Sequence, residues 1–134
     1  MYNSIGAGGL KPVRWVGSSL TELRSFPAEV QRDVGYAIYA AQKGERDPAA
    51  KPMKGFGGAN VLEIVAPFDG DTFRAIYTVR LKDFIYVLHA FQKKSKSGKA
   101  TPKKEIEMIQ RRLAIAERDY EERRETDDRE KKHK

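Results

Sequence analysis

Residues 61–91 read VLEIVAPFDGDTFRAIYTVRLKDFIYVLHAF, and the three apolar runs inside this stretch decide the fold. VLEIVAP (61–67), TFRAIYTV (72–79) and FIYVLHAF (84–91) are rich in β-branched and aromatic residues and short enough for strands. FDGD separates the first two, and its Asp-Gly pair favours the left-handed backbone of a tight hairpin turn. RLKD separates the next two. The expected product is an antiparallel meander.

Outward from the meander the periodicity changes. Upstream, VRWV (13–16) reads as a first strand and SSLTELRSFPAEVQRDVGYAIYAAQKG (18–44) as a helical region. Ser19 and Glu22 have the spacing of a capping box, and Pro27 suits the start of a second helix after a short first one. In that second helix Val30, Val34, Ala37, Ile38 and Ala41 recur on one face, and Gly44 stops it. Residues 45–52 read as a polar link into the glycine-rich KGFGGAN (54–60). Downstream, Thr101 and Pro102 open a helix in which Ile106, Ile109, Leu113, Ala116 and Tyr120 recur at spacings of three and four. The expected fold is a small α+β domain, an antiparallel sheet with two N-terminal helices and a C-terminal helix, the helices lying against one sheet face. It spans 13–120, between a disordered segment 1–12 and a charged, disordered tail 121–134.

Composition narrows the function. A chain of 134 residues, 40% hydrophobic, suits a single core. There is no cysteine, which excludes disulfides, thiolate metal sites and cysteine nucleophiles. No run approaches the roughly 18 apolar residues of a membrane span. The N-terminus lacks the basic and apolar regions of a signal peptide, so a cytoplasmic protein without membrane contact is expected. The net charge is +7, and all of it falls between Arg80 and Lys104, where eight basic residues face only Asp83. Such a footprint suits a polyanion, although a solvated lysine loop has the same composition.

Three segments carry a family resemblance. KPMKGFGGANVLEIV (51–65), DTFRAIYTV (71–79) and YVLHAFQKKSKSGKATPKKEIEMIQRRL (86–113) resemble the phage-derived, HigB-like branch of the RelE/ParE toxins of bacterial toxin–antitoxin systems. The resemblance implies a RelE-like fold and a ribosome-dependent mRNA endonuclease (an mRNA interferase) that inhibits translation. Its expected partners are the ribosome, mRNA and a cognate antitoxin, often of helix-turn-helix type. Such enzymes need no metal or other cofactor and drive the ribose 2′-OH onto the adjacent phosphate. Charge builds on the phosphorane-like transition state, so a cationic site is the chemically fitting one.

On this resemblance Arg74, in the middle strand, matches a catalytic arginine, and Lys93 and Lys94 match basic residues that contact the scissile phosphate. Lys54, Lys96, Lys99 and Lys103 are candidate RNA contacts. His89 has the chemistry of a general base but also that of a core histidine bonded locally. The best-known RelE toxins place lysines in the second strand and a tyrosine in the C-terminal segment. Here VLEIVAP offers Glu63, either a base or a partner for Arg74 across the hairpin, and Tyr120 belongs to the apolar stripe. Two other functions fit the same residues: a ParE-like toxin that binds gyrase, and a non-enzymatic RNA- or ribosome-binding domain.

Overall fold

The computed structural model describes residues 9–57, 60–93 and 101–132. The elements are β1 (Val13–Trp15), α1 (Ser19–Arg24), α2 (Ala28–Gln42), β2 (Ala50–Pro52), β3 (Val61–Phe68), β4 (Asp71–Thr78), β5 (Ile85–Lys93) and α3 (Lys103–Lys132). The strands form one sheet in the order β1-β5-β4-β3-β2. The meander β3-β4-β5 is antiparallel as expected, while β1 joins β5 in parallel, so the α+β sheet is mixed.

Residues 45–52, expected to be a polar link, contain a strand instead. The Asp47 carboxylate accepts from the Ala49 N–H at 2.8 Å, and the Ala50 N–H donates to the Asp47 carbonyl at 2.9 Å. This turn sets Ala50 against Ile64, and the Met53 N–H continues the pairing at the Val61 carbonyl. A three-residue strand takes its conformation from its partner rather than from its own propensity.

Helices cover both faces of the sheet, not one. On the first face α1 and α2 bury Leu23, Val30, Val34 and Ala37 against Leu62, Ile64, Phe73, Ala75 and Tyr77. On the second, Ile109, Leu113, Ala116 and Tyr120 of α3 pack on Val61, Ile76, Leu88 and Phe91. The inner strands are apolar on both sides, as strands covered on both faces must be. α3 continues past Tyr120, the last of its described side chains to be buried, to Lys132, with Arg123 donating to Asp119 one turn earlier at 2.9 Å. Among the described residues no helix is long and apolar enough to cross a membrane.

Two local features differ from the expected pattern. Ser19 does not close a capping box: its hydroxyl donates to the Val87 carbonyl, and Glu22 turns inward instead. In β5, Ile76 pairs with His89 but Tyr77 pairs with Val87, so Leu88 is a bulge. The extra residue breaks the alternation of His89 with Ile85 and Val87 and brings it to the α3 side.

Asp69 (φ 52°) and Gly70 (φ 85°) form the expected β3–β4 turn, with both residues left-handed. Apart from its chain neighbours, no atom of the described residues lies within 4 Å of where a Cβ on Gly70 would sit, so a side chain there costs backbone strain. Gly70→Ala should lower stability by about 1–2 kcal/mol, read as a lower urea midpoint at unchanged slope.

Candidate functional site

Three charged side chains from three adjacent strands meet on the α3 face of the sheet. Arg74 stands opposite Val65 on β3 and Phe91 on β5, which makes Glu63 and Lys93 its diagonal neighbours on either side. Arg74 Nη1 donates to Glu63 Oε2 at 2.6 Å, and these side chains are 15% and 14% exposed. Lys93 is only 5% exposed, and among the described residues neither its Nζ nor Arg74 Nε has a hydrogen-bond partner. Burial holds the Lys93 pKa below the usual lysine value, the Arg74 charge lowers it further, and Glu63 offsets only part of this. Lys51, which the sequence analysis did not single out, lies exposed across from Glu63 on β2.

His89 is held elsewhere on the same face. Its Nε2 lies 2.7 Å from Glu105 Oε1, and its Nδ1 lies 3.1 Å from Glu22 Oε1 and 3.2 Å from Arg112 Nη1. Ile76 stands between His89 and Glu63 in the register, and Phe91 stacks on the imidazole at 5.2 Å. His89 is therefore bonded locally at both ring nitrogens. Of the other candidates, Lys54 sits exposed in a turn and Lys103 exposed at the start of α3. Lys94, Lys96 and Lys99 lie outside the described residues.

The network around His89 was missed by the sequence analysis. Arg112 Nη1 donates to Glu22 Oε1 at 2.9 Å and to the Leu88 carbonyl at 3.0 Å. Its Nη2 reaches Ser18 Oγ at 3.0 Å and Glu22 Oε2 at 3.1 Å. A signal was present in the helical phase, since 105, 109, 112 and 116 share one face and the apolar stripe thus includes two charged positions. Burial pushes the Glu22 pKa up, but Arg112, the Ala90 N–H, His89 and Ser18 outweigh it and hold the carboxyl below its ordinary value. A groove of about 270 Å³, lined by Trp15, Leu20, Leu23 and Ile38 among others, lies on the α2 side, away from the charged cluster. Among the described residues no group of three His, Asp or Glu side chains is placed to hold a metal ion.

A family model described as phage-derived protein Gp49-like matches residues 21–114. Among solved structures, a chain of the RelBE2 toxin–antitoxin complex of Mycobacterium tuberculosis is similar at 15% identity and a TM-score of 0.43, over 65% of this chain and 95% of that one. The comparison with curated proteins finds no match.

Arg112→Ala should cost about 3–5 kcal/mol in chemical denaturation, because it strands Glu22 without its cation. Acid should probe the same bond. A carboxylate whose pKa is lowered in the folded state contributes stability above its unfolded pKa and loses it as pH falls through the folded value. Between about pH 5 and pH 3, the melting temperature should fall more steeply for the natural protein than for Glu22→Gln.

Proposed function

The chain belongs to the phage-derived Gp49-like family, and from that premise we propose that it is the toxin of a type II toxin–antitoxin pair, of the HigB-like branch, and a ribosome-dependent mRNA endonuclease. The observation that carries this reading is the Lys93–Arg74–Glu63 cluster, a buried and a part-buried cation whose donors are not all met among the described residues, at the end of the sheet that leads into the lysine-rich segment 94–104. Donors left unmet in a folded interior are costly, and an anionic substrate removes the cost.

In the proposed reaction the ribose 2′-oxygen attacks the adjacent phosphorus and the P–O5′ bond breaks, leaving a 2′,3′-cyclic phosphate and a 5′-hydroxyl. Arg74 stabilises the added charge on the non-bridging oxygens from a rigid strand position. Glu63 is the carboxylate nearest that clamp and accepts the 2′-OH proton. Lys93, with its pKa held below the usual lysine value, returns a proton to the leaving O5′. Lys94 joins Lys93 at the phosphate, while Lys54, Lys96, Lys99 and Lys103 hold flanking phosphates in a salt-dependent way. His89 enters as a support for Phe91 and β5. An antitoxin bearing acidic or bulky elements would silence the protein by covering this cationic face.

Purified protein on programmed ribosomes should create new mRNA 5′ ends in frame with translation, with a chelator present at levels that leave ribosomes intact. Arg74→Ala should keep ribosome affinity but slow single-turnover cleavage about a hundredfold or more. Replacing Lys96 and Lys99 together should weaken association and flatten its salt dependence with the bound rate kept. Arg74→Ala protein that binds poorly yet cuts at full rate when saturated would make Arg74 a docking residue. Growth arrest without new 5′ ends would instead favour a gyrase-binding or binding-only protein.

A further inference from the structure

β1 is one border of the sheet, and its outer side is open. The Ile85 N–H donates to the Pro12 carbonyl at 2.9 Å and the Val16 N–H to the Val87 carbonyl at 3.0 Å. The backbone groups of Arg14 and Val16 therefore face β5, and alternation turns the N–H and C=O of Val13 and Trp15 outward. Among the described residues nothing bonds to them. An unpaired edge is a template for another strand. The side chains around it suit one as well. On the α2 face the groove lined by Leu20, Leu23 and Ile38 reaches this edge at Trp15, and Gly35 forms part of its wall. Gly35 lies inside α2 without a positive φ, where glycine costs stability relative to alanine. Apart from its chain neighbours and the backbone of its own helix, no atom of the described residues lies within 4 Å of where its Cβ would sit. Packing within the described chain does not call for a glycine there, and the missing side chain keeps the groove open. Tyr36 and Tyr39, each one position along the helix from Gly35 and Ile38, are exposed, and tyrosine is enriched where proteins meet.

On the α3 face the edge carries Arg14, whose Nε lies 3.4 Å from Asp119 Oδ2 and makes no hydrogen bond among the described residues. That oxygen already accepts from Tyr86 at 2.7 Å and from Arg123 at 2.9 Å. A smaller groove of about 130 Å³ lies here, between Arg14, Val16 and the half-exposed Ile115. We infer that the outer edge of β1 receives an extended segment of a partner protein in which apolar and acidic side chains alternate. Residues opposite Val13 and Trp15 place their side chains on the α2 face, in the apolar groove, and the residue between them stands opposite Arg14 on the α3 face, where a carboxylate gives that guanidinium an acceptor. A second copy of the chain fits poorly: two-fold pairing of β1 with itself sets Arg14 against Arg14, and like charges directly opposite are destabilising. A helix in the groove would leave the backbone edge unmet. The open stretch is short, because Lys11 is tied to Gln42 by two hydrogen bonds, at 3.0 and 2.8 Å, and Pro12 has no N–H. Side chains in the grooves must therefore supply much of the affinity. Such a site is independent of the nuclease reading.

The probes are two synthetic eight-residue peptides, blocked at both ends, one alternating leucine with glutamate and the other leucine with lysine, titrated into the isotopically labelled full chain and followed by NMR. The glutamate peptide should shift the amides of Val13, Trp15 and Gly35 and bind about tenfold or more tightly than the lysine peptide. N-methylation of one of its two alternating sets of amides, the set facing β1, should weaken binding about tenfold, and N-methylation of the other set should not. Gly35→Leu fills the groove and should lower peptide affinity about tenfold while raising the melting temperature by about 3 °C, a combination that a structural role for the glycine would not produce. Arg14→Gln should bring the affinities of the two peptides together. Equal affinity of the natural protein for both peptides, shifts that avoid β1, a peptide bound as a helix, or undiminished binding in Gly35→Leu would overturn the inference. So would a natural protein that sediments as a dimer with its β1 amides protected from exchange, since the occupant would then be a second copy. Should Gly35→Leu fail to fold, the N-methylated peptides and Arg14→Gln decide the matter.

Discussion

β5 is longer than β1 beside it, and the molecule resolves that mismatch with a part-buried ion pair. β1 accompanies β5 only to Val87, whose carbonyl accepts from the Val16 N–H. Beyond that point the Leu88 carbonyl is taken by Arg112 and the Ala90 N–H by Glu22, while Arg112 and Glu22 hold each other. Side chains thus complete the hydrogen bonding of a strand edge that would otherwise be buried with unmet backbone groups. Because Glu22 comes from α1 and Arg112 from α3, the same contacts fix both helices to the sheet. Glu105 extends the clamp to the first turn of α3 through His89.

The candidate site inherits its geometry from this clamp. α3 covers the sheet face on which Glu63, Arg74 and Lys93 stand, and Phe91, stacked on the clamped imidazole, lies directly opposite Arg74. Apolar packing beside the charges lowers the local dielectric and strengthens each of them. A second polar cluster steadies the far part of α3: Tyr86 donates to Asp119 at 2.7 Å, Tyr120 to Asp83 at 2.9 Å, and Arg80 to Glu117 at 2.8 Å. These bonds anchor the β4–β5 connection and the start of β5 to the helix. The strands around Arg74 are thereby held from two ends.

What the sequence made legible followed from periodicity and turn chemistry. The hairpin at Asp69–Gly70, the stripe on α2 and the place of Arg74 in the middle strand of the meander are local patterns, and the structure has them. The proximity of Glu63 and Arg74 was also readable, because a two-residue hairpin fixes the register. Hidden from the sequence were features decided by a partner element: the three residues of β2, the bulge at Leu88, and the choice of Glu22 between a helix cap and a buried guanidinium. Arg111 and Arg112 are the same residue type side by side, and only the helical phase distinguishes the solvent-facing one from the one that is 7% exposed. Charge pattern located the cationic end of the sheet but could not say which lysine is buried, since burial of Lys93 depends on packing across strands.

Burying Lys93 without an acceptor among the described residues runs against stability, and the clusters around Arg112 and Arg74 show the contrast. In the Arg112 cluster nearly every donor has a carboxylate, carbonyl or hydroxyl, so desolvation is offset where it is incurred. In the Arg74 cluster it is not. A fold that satisfies its buried polar groups so fully at one place and, among the described residues, leaves two donors open within the same face fits the proposed function, in which the open pair is cost tolerated for binding. The two ends of β5 differ accordingly: the bulge at Leu88 lies where helices are held, and the last residues of the strand carry the charges on which the proposed function rests. Rigid strand positions fix the direction of Arg74, and in the proposed function the Lys93 ammonium, without an acceptor among the described residues, supplies the electrostatic pull on an anion.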